Sequence, residues 1–290
     1  MVFAHCLNPD EIWVPLIEKA YAKIFGSYEA LNSGLIDDAL VDMTGLVAEK
    51  MKLKRIKGNS AKLEEFWNKI WNFRKNKTLM GCSIEGHTEG EVRWDGERTG
   101  LLSGHAYSLV DVLHYEEPSG PDGVYRLLRI RNPWGKMEWI GPWANGSDEL
   151  SDYKDGVMKE VNKLGPDEKF DPFDRNDGTF LMEILDWSEI YHNVFACVDF
   201  PDYWSGVRFR SGWTATSSGG VPKGPKDFKK WATNPQFILE AEEDCEIFIS
   251  LQQEDGRLVR GSKFPYPNSI KACCFALARL DEEPKCAQFN

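Results

Sequence analysis

The segment SGHAYSLVDVLHYEEPSGPDGVYRLLRIRNPWG, residues 103–135, predicts an antiparallel β-hairpin. Apolar and β-branched residues dominate 106–115 and 124–131, and the Pro- and Gly-rich stretch between them is typical of a turn. A register in which the numbers of paired residues add up to 237 places this turn at the closed end of the hairpin. The same register brings His105 opposite Asn132 at the open end. We therefore expect these two side chains to meet.

A histidine beside a side-chain amide is the base-and-orienter pair of cysteine peptidases that use Cys, His and Asn. In that chemistry a cysteine thiolate attacks the substrate carbonyl, and the imidazolium stabilises the thiolate and then donates a proton to the leaving amine. The amide oxygen accepts the other imidazole N–H and fixes the orientation of the ring. A histidine at the end of a strand is also typical of a purely structural residue, so the pattern alone leaves both interpretations open.

On both sides of the hairpin the sequence predicts further helices and strands. Apolar residues recur at three- and four-residue spacing before the hairpin, which indicates amphipathic helices near 10–25, 35–45 and 63–71. A short strand at 78–84 and a polar, Gly-rich loop at 85–103 that carries Trp94 follow these helices. After the hairpin we expect a long polar loop at 141–176 with one short helix, a strand at 179–184 and a helix at 186–194.

The character of the sequence changes near residue 200. Beyond it, the stretches VRFRSGW, NPQFILEA, CEIFISLQQ and KACCFALARL look like strands separated by Gly, Pro and charged turns. Several such strands indicate an antiparallel β-sandwich. We therefore expect two domains, at 1–200 and 201–290.

Composition excludes several classes of protein. The 290 residues carry a net charge of −11 with a pI near 5.1, which argues against nucleic-acid binding because that relies on dense Lys and Arg contacts to phosphate. The sequence contains neither an apolar run long enough to span a membrane nor a secretory signal, so we expect an intracellular, cytoplasmic protein with reduced thiols. The seven cysteines show no CxxC pair and no zinc-ligand spacing.

Four segments closely resemble the calpain family of cysteine peptidases. They are SGHAYSLVDV (103–112), IRNPWGKMEWIGPW (130–143), WVPLIEKAYAKIFGSYEAL (13–31) and GCSI (81–84), and the resemblance runs from about Phe3 to about Leu258. It implies an α+β fold, in which the second subdomain of a papain-like peptidase precedes a partial antiparallel β-sandwich. It also implies an intracellular endopeptidase that cleaves protein substrates through a thioester acyl-enzyme. His105 would be its general base, Asn132 the orienter, and Trp134 the shield of the pair from water. The family has a mobile loop beside its substrate cleft where this chain has 85–103.

The nucleophile of the family lies in a segment like Gln-Gly-x-x-Gly-Asp-Cys-Trp, which this sequence lacks. Cys6 precedes Leu-Asn-Pro rather than Trp and aligns with a noncatalytic position, and Cys82 lies in the GCSI strand. We therefore expect no nucleophile in this chain, which would be a fragment that is inactive alone. The alternative is a catalytically dead regulatory or binding protein built on a peptidase relic.

The resemblance also implies two ligands. In the family, an acidic loop after Asn-Pro-Trp binds calcium, which places Glu138, Asn145 and Asp177 as ligands together with the backbone carbonyl of Arg175. Asn145 stands where an Asp is usual and Thr179 replaces a Glu, so we expect a weakened site. The lysine-rich segment at 223–230 in the β-sandwich would face anionic phospholipid, or is simply a solvated turn.

Overall fold

The computed structural model describes residues 4–6, 8–32, 34–117, 123–162, 177–200, 202–221, 225–241 and 243–252. The chain divides into two compact units, of which the first reaches Asp199 and the second begins at Phe200. The first unit is a mixed α+β structure built on antiparallel sheets, which agrees with the predicted α+β fold class. Within the described ranges, no helix is both long and apolar enough to cross a bilayer.

The first three helices confirm the prediction from periodicity. Each ends or begins with a capping residue: Gly26 at φ 97° ends the first helix, Gly45 at φ 73° ends the second, and the Asn59 side chain accepts from Lys62 N at the start of the third. The helices of the first unit are α1 (Trp13–Phe25), α2 (Ile36–Thr44), α3 (Ser60–Lys75), α4 (Asp148–Asp152), α5 (Lys154–Asn162) and α6 (Ile184–Ile190).

In the described residues, eight strands form two antiparallel sheets. The strands are β1 (Val47–Lys52), β2 (Met80–Ile84), β3 (Gly90–Trp94), β4 (Glu97–Ser103), β5 (His105–Glu116), β6 (Val124–Arg131), β7 (Thr179–Glu183) and β8 (Asn193–Val198). Six of them form one sheet in the order β1-β8-β2-β5-β6-β7, and β3 and β4 form a separate hairpin. In this order the strand that begins with His105 is central.

The predicted β5–β6 hairpin is confirmed, but its predicted register is wrong. Ser108 pairs with Arg131 and Glu116 pairs with Val124, so the paired numbers add up to 239 at the open end and 240 near the turn. The change occurs at a bulge between Leu109 and Asp111, which adds a residue to β5. His105 and Asn132 are therefore not paired across the ladder, and their approach has another cause.

Two further expectations are corrected. The stretch 85–103 is not a loop, because its second half folds as the β3–β4 hairpin around Asp95 and Gly96, which both have positive φ. The stretch 141–176 contains two short helices, α4 and α5, where one was expected, and 163–176 lies outside the described residues. Strand β1 was not predicted.

The core forms on both faces of the central sheet. On one face, α3 and α6 cover the sheet and bury Phe66, Trp67, Ile70 and Trp187 in the larger apolar cluster. On the other face, α4 and α5 cover a smaller, aromatic-rich cluster. Its members are Leu113, Tyr115, Tyr125, Leu127, Trp143, Leu150, Val157, Val161 and Leu181. A sheet covered on both faces holds the ends of β5 and β6 firmly in place.

The second unit does not confirm the predicted β-sandwich. In its described ranges, 202–221, 225–241 and 243–252, the regular elements are a 3-10 turn at Pro225–Asp227 and the short helix α7 (Phe228–Trp231). The candidate strand KACCFALARL lies outside the described residues. The sandwich and the 201–290 domain thus stay predictions.

Candidate active site

His105 is the first residue of β5 and is almost completely buried. Its side chain is 7% exposed, and its backbone pairs with Ile84 of β2. Gly104 precedes it with φ +63°, a left-handed conformation that lets β4 end and β5 begin within one residue. The backbone of His105 is therefore held by its pairing with β2 and by the Gly104 turn that precedes it.

Asn132 follows β6 directly and is completely buried. Its backbone N–H donates to Gly178 O at 2.8 Å, and its carbonyl accepts from Gly135 N at 2.9 Å, so the Asn-Pro-Trp-Gly turn folds back at this point. The turn, and not the strand register, brings the amide towards the histidine.

The His105 Nε2 and Asn132 Oδ1 atoms lie 3.0 Å apart. Two other bonds fix which way the amide points: Asn132 Nδ2 donates to Met137 O at 3.1 Å, and Trp134 N donates to Asn132 Oδ1 at 3.1 Å. Because the amide oxygen can only accept, Nε2 donates to it. The structure thus brings together the two residues that the sequence predicted as base and orienter.

The second ring nitrogen has a partner that the sequence did not predict. His105 Nδ1 lies 2.9 Å from Glu89 Oε1, on the residue that immediately precedes β3. The Glu89 side chain is 46% exposed, so the contact lies at the surface end of the site. The Asp95-Gly96 pair is the pattern from which the β3–β4 hairpin could have been predicted. No motif points to Glu89, which immediately precedes that hairpin.

Two aromatic rings flank the imidazole. The Trp134 ring lies 4.7 Å from it between centroids at an angle of 60°, although Trp134 remains 47% exposed. Tyr107 meets it edge-on at 5.0 Å, and its hydroxyl accepts from Leu102 N at 2.8 Å. Burial raises the pKa of Tyr107 to about 12, so this phenol is neutral at physiological pH and does not act as a base.

None of the cysteines in the described residues has the surroundings of a nucleophile at this site. Cys82 is completely buried in β2, and burial raises the pKa of its thiol far above the usual range. Cys197 is buried beside Thr44 Oγ1, at 3.1 Å, and Cys6 and Cys245 are free thiols that lie before α1 and in the second unit. The ring nitrogens of His105 contact Glu89 and Asn132 instead.

The residues predicted to bind calcium do come together, but in a hydrogen-bonded arrangement. Glu138 Oε1 accepts from Gly178 N at 2.9 Å, and Glu138 Oε2 accepts from Asn145 Nδ2 at 2.7 Å. The same Nδ2 donates to Thr179 O at 2.9 Å, and Asp177 Oδ1 accepts from Thr179 N at 2.6 Å. Both Glu138 oxygens and Asp177 Oδ1 thus accept hydrogen bonds from N–H groups in this structure.

This arrangement does not fit a calcium ion, which requires six to eight oxygen ligands. In the part of the chain that the structure describes, no group of three or more His, Cys, Asp or Glu residues is placed to hold a metal. Arg175, whose carbonyl was the fourth predicted ligand, lies outside the described residues. Calcium binding at Glu138, Asn145 and Asp177 stays a prediction.

A cavity of about 330 Å³ lies next to the histidine strand pair. It is lined by both ends of the β2–β3 connection and by the end of α6, and it combines a tryptophan with acidic and basic groups. The lining residues are Ile84, Glu85, Val92, Arg93, Trp94, Ser103, Glu189, Ile190 and His192.

A buried histidine oriented by an asparagine and flanked by tryptophan is the arrangement found in cysteine peptidases of the Cys-His-Asn type. Comparison with known proteins defines the family more closely. The model of the calpain family cysteine protease matches residues 1–198, and the chain belongs to this family.

Curated relatives agree with this assignment. The calpain-type cysteine protease DEK1 of Arabidopsis thaliana is 33% identical over 263 residues, which cover 88% of this chain and 11% of the plant protein. Calpain-9 of Mus musculus is 31% identical over 277 residues, and the calpain-2 catalytic subunit of Gallus gallus is 31% identical over 279 residues. Each of these two alignments covers 90% of this chain and 37% of the relative. The chain thus spans much less than half of the length of these relatives.

Proposed function

We propose that this chain supplies the histidine and asparagine of a calpain-like cysteine endopeptidase that cleaves protein substrates. The observation that carries the proposal is the 3.0 Å contact between His105 Nε2 and Asn132 Oδ1 in a buried site. Membership of the family supports the reaction class.

In this proposal each side chain of the site has one task. Asn132 Oδ1 accepts a hydrogen bond from Nε2–H and keeps the ring in one orientation, which leaves Nδ1 directed at the position of the nucleophile. His105 then takes the thiol proton through Nδ1 and returns it to the leaving amine of the peptide. Trp134 covers one side of the pair, which limits the access of water to the ion pair.

The nucleophile of this reaction would come from a segment of the Gly-Asp-Cys-Trp type, and not from any cysteine in the described residues. Cys6 aligns with a noncatalytic position of the family, and the burial of Cys82 and the raised pKa of its thiol exclude a reactive thiolate there. We accordingly expect the 290-residue chain by itself to cleave no peptide bond.

A catalytically dead regulatory or binding protein is the second candidate. One observation favours it: the nitrogen that would face a thiolate already contacts Glu89. Intact His105 and Asn132 favour the peptidase, because a protein without catalysis has no need of a buried base oriented by an amide.

Two finer parts of the proposal concern ligands and location. The segment at 223–230 is proposed to meet anionic phospholipid through its lysines, and its described part includes the turn Pro225–Asp227 and α7. Retention by vesicles that contain phosphatidylserine, but not by neutral vesicles, would test this. We propose an intracellular, cytoplasmic site of action with protein substrates.

The test of the function begins with the full-length transcript, sequenced at both ends. If it encodes a Gly-Asp-Cys-Trp segment, the complete protein should cleave an unfolded protein substrate, and His105→Ala should reduce the rate by about 10²–10⁴-fold. His5→Ala, at an exposed histidine, is the matched control and should leave the rate unchanged. A complete protein that has the cysteine and loses no activity in His105→Ala would refute the proposal.

A further inference from the structure

The carboxylate of Glu89 occupies the nitrogen of His105 that a catalytic thiolate would need. The Nδ1–Oε1 distance of 2.9 Å is that of a charge-assisted hydrogen bond. On the opposite side, Nε2 is 3.0 Å from Asn132 Oδ1. A carboxylate and an amide oxygen both accept hydrogen bonds, so the two partners are placed to receive N–H bonds from both ring nitrogens.

The backbone places Glu89 at this position through close packing. Residue Gly90 pairs with Ser103 in the β3–β4 hairpin, and Ser103 Oγ donates to Gly90 O at 3.1 Å. A Cβ at Gly104 would lie 2.7 Å from Thr88 O, so the segment before Glu89 rests directly on the residue before His105. The backbone that carries Glu89 is therefore fixed beside His105, and only the Glu89 side chain has to rotate to break the contact.

The same segment is also held at its start. A Cβ at Gly86 would lie 2.7 Å from Gly104 N, and Gly104 N donates to Ile84 O at 2.8 Å. The connection between β2 and β3 is thus packed against the β4–β5 junction at two points. Only the carboxylate end of Glu89 reaches solvent, since its side chain is 46% exposed while that of His105 is 7% exposed.

We propose that Glu89 is an internal stand-in for the thiolate and competes with it for His105 Nδ1. The consequence for catalysis rests on the proposed function, whereas the contact itself is a property of this chain alone. While Glu89 is in place, the imidazole keeps its charge and orientation, and the position of the nucleophile is closed.

Docking of a cysteine-bearing segment then requires an exchange of anions. The thiolate takes the place of the carboxylate at Nδ1, and Glu89 turns into solvent, where water hydrates its charge. One proton passes to solvent in this exchange, because the carboxylate leaves in its ionised form and Nδ1 loses its proton to water before the thiol gives its own proton to Nδ1 and restores the imidazolium. Glu89 is a positioning residue in this scheme and makes no bond to the substrate.

The experiment measures access to His105 in the chain as it is. Diethyl pyrocarbonate modifies a ring nitrogen that is free of hydrogen, so its rate at His105, followed by peptide mass, reports whether Glu89 covers Nδ1. We expect Glu89→Ala to raise this rate by about tenfold, since a charge-assisted bond is lost. The control is Glu91→Ala, on the same hairpin but paired with Arg98, which should stay at the wild-type rate.

A second variant guards against local unfolding. Glu89→Gln keeps the size and removes the charge, and the ¹⁵N spectrum of its labelled histidine should show one protonated ring nitrogen at His105 where the wild type shows two. Equal modification rates in wild type and Glu89→Ala, or one protonated nitrogen in wild type, would overturn the proposal. If both readouts behave as expected but the complete protein cleaves no peptide, the result would count against the proposed function only.

Discussion

Asn145 Nδ2 donates a hydrogen bond to Glu138 Oε2 at 2.7 Å. The amide thus binds a carboxylate oxygen that could otherwise bind a cation. The same nitrogen also donates to Thr179 O at 2.9 Å. The loop after the Asn-Pro-Trp-Gly turn is therefore held together by hydrogen bonds alone in this arrangement.

Asn145→Asp should exchange this hydrogen-bonded loop for one that depends on a cation. The change removes both donors and places two carboxylates side by side, so we expect a loss of about 2–4 kcal/mol in the free energy of unfolding without calcium. Millimolar calcium should restore much of it, because carboxylate ligands favour the ion. Thermal unfolding with calcium and with EDTA measures both effects.

The wild type is the control for that experiment. We expect its melting temperature to change by less than about 1 °C on addition of millimolar calcium, because the Asn145 amide already binds the Glu138 carboxylate. A rise of several degrees in the wild type would instead confirm the calcium site that the sequence predicted at Glu138, Asn145 and Asp177.

Glu183 should make stability depend on pH near neutrality. Burial raises its pKa to about 7 from an ordinary value of 4.5, with Asp186 adding to the effect. A raised pKa in the folded state gives stability that is complete below pH 4.5 and is lost as the pH rises through 7. Unfolding in urea between pH 4.5 and 8 should show this decline.

Glu183→Gln should flatten that decline. The amide oxygen can still accept from Leu185 N, as the carboxylate does at 2.6 Å, so the helix cap is kept. At pH 8 the variant should be more stable by about 1 kcal/mol, discounted for partial exposure, and near pH 4.5 the difference should vanish. Glu65→Gln, exposed on α3, should change stability by less than about 0.5 kcal/mol at either pH.

Arg74→Met should be strongly destabilising because it removes the ion-pair partner of a buried carboxylate. Arg74 Nε lies 2.7 Å from Asp111 Oδ1, and the Asp111 side chain is only 2% exposed. Removing one partner of a buried pair costs about 3 kcal/mol or more. Arg98→Met, at an ion pair with Glu91 that is largely exposed, should cost less than about 1 kcal/mol. Equal losses in the two variants would contradict this prediction.

Gly104→Ala and Gly96→Ala separate backbone strain from steric conflict. Both glycines have positive φ, +63° and +85°, but a Cβ at Gly96 meets nothing within 4 Å, whereas one at Gly104 would lie 2.7 Å from Thr88 O. We expect about 1 kcal/mol of destabilisation for Gly96→Ala from strain alone and at least about 1 kcal/mol more for Gly104→Ala. Chemical denaturation gives both values.

Periodicity and turn chemistry were sufficient to predict the first three helices and the β5–β6 hairpin. They failed at the register, because the pattern does not fix which residues the turn contains: the paired numbers add up to 240 beside the turn instead of 237, and the bulge between Leu109 and Asp111 changes the sum by one, to 239, at the open end. The His105–Asn132 approach was predicted from a wrong register, and it occurs because the Asn-Pro-Trp-Gly turn folds back after β6.

The partner of Nδ1 could not be read from the sequence. Glu89 reaches His105 through the packing of one backbone segment on Gly104, and such packing leaves no residue pattern. The hairpin beside it was predictable in principle from Asp95-Gly96, which lies between two short alternating runs. The same limit applies to the predicted calcium ligands, whose residue types do not reveal that Asn145 donates to Glu138.

The strand order has a consequence for how the protein is made. Strand β8, at Asn193–Val198, lies between β1 and β2. Strand β1 therefore has no neighbour in the sheet until residue 198 has emerged from the ribosome. Strand β5, which begins with His105, and strand β6, which ends just before Asn132, can already be paired when β7 has emerged. During synthesis the half of the sheet that contains His105 can thus assemble first, and β1 joins the sheet only after β8 has formed.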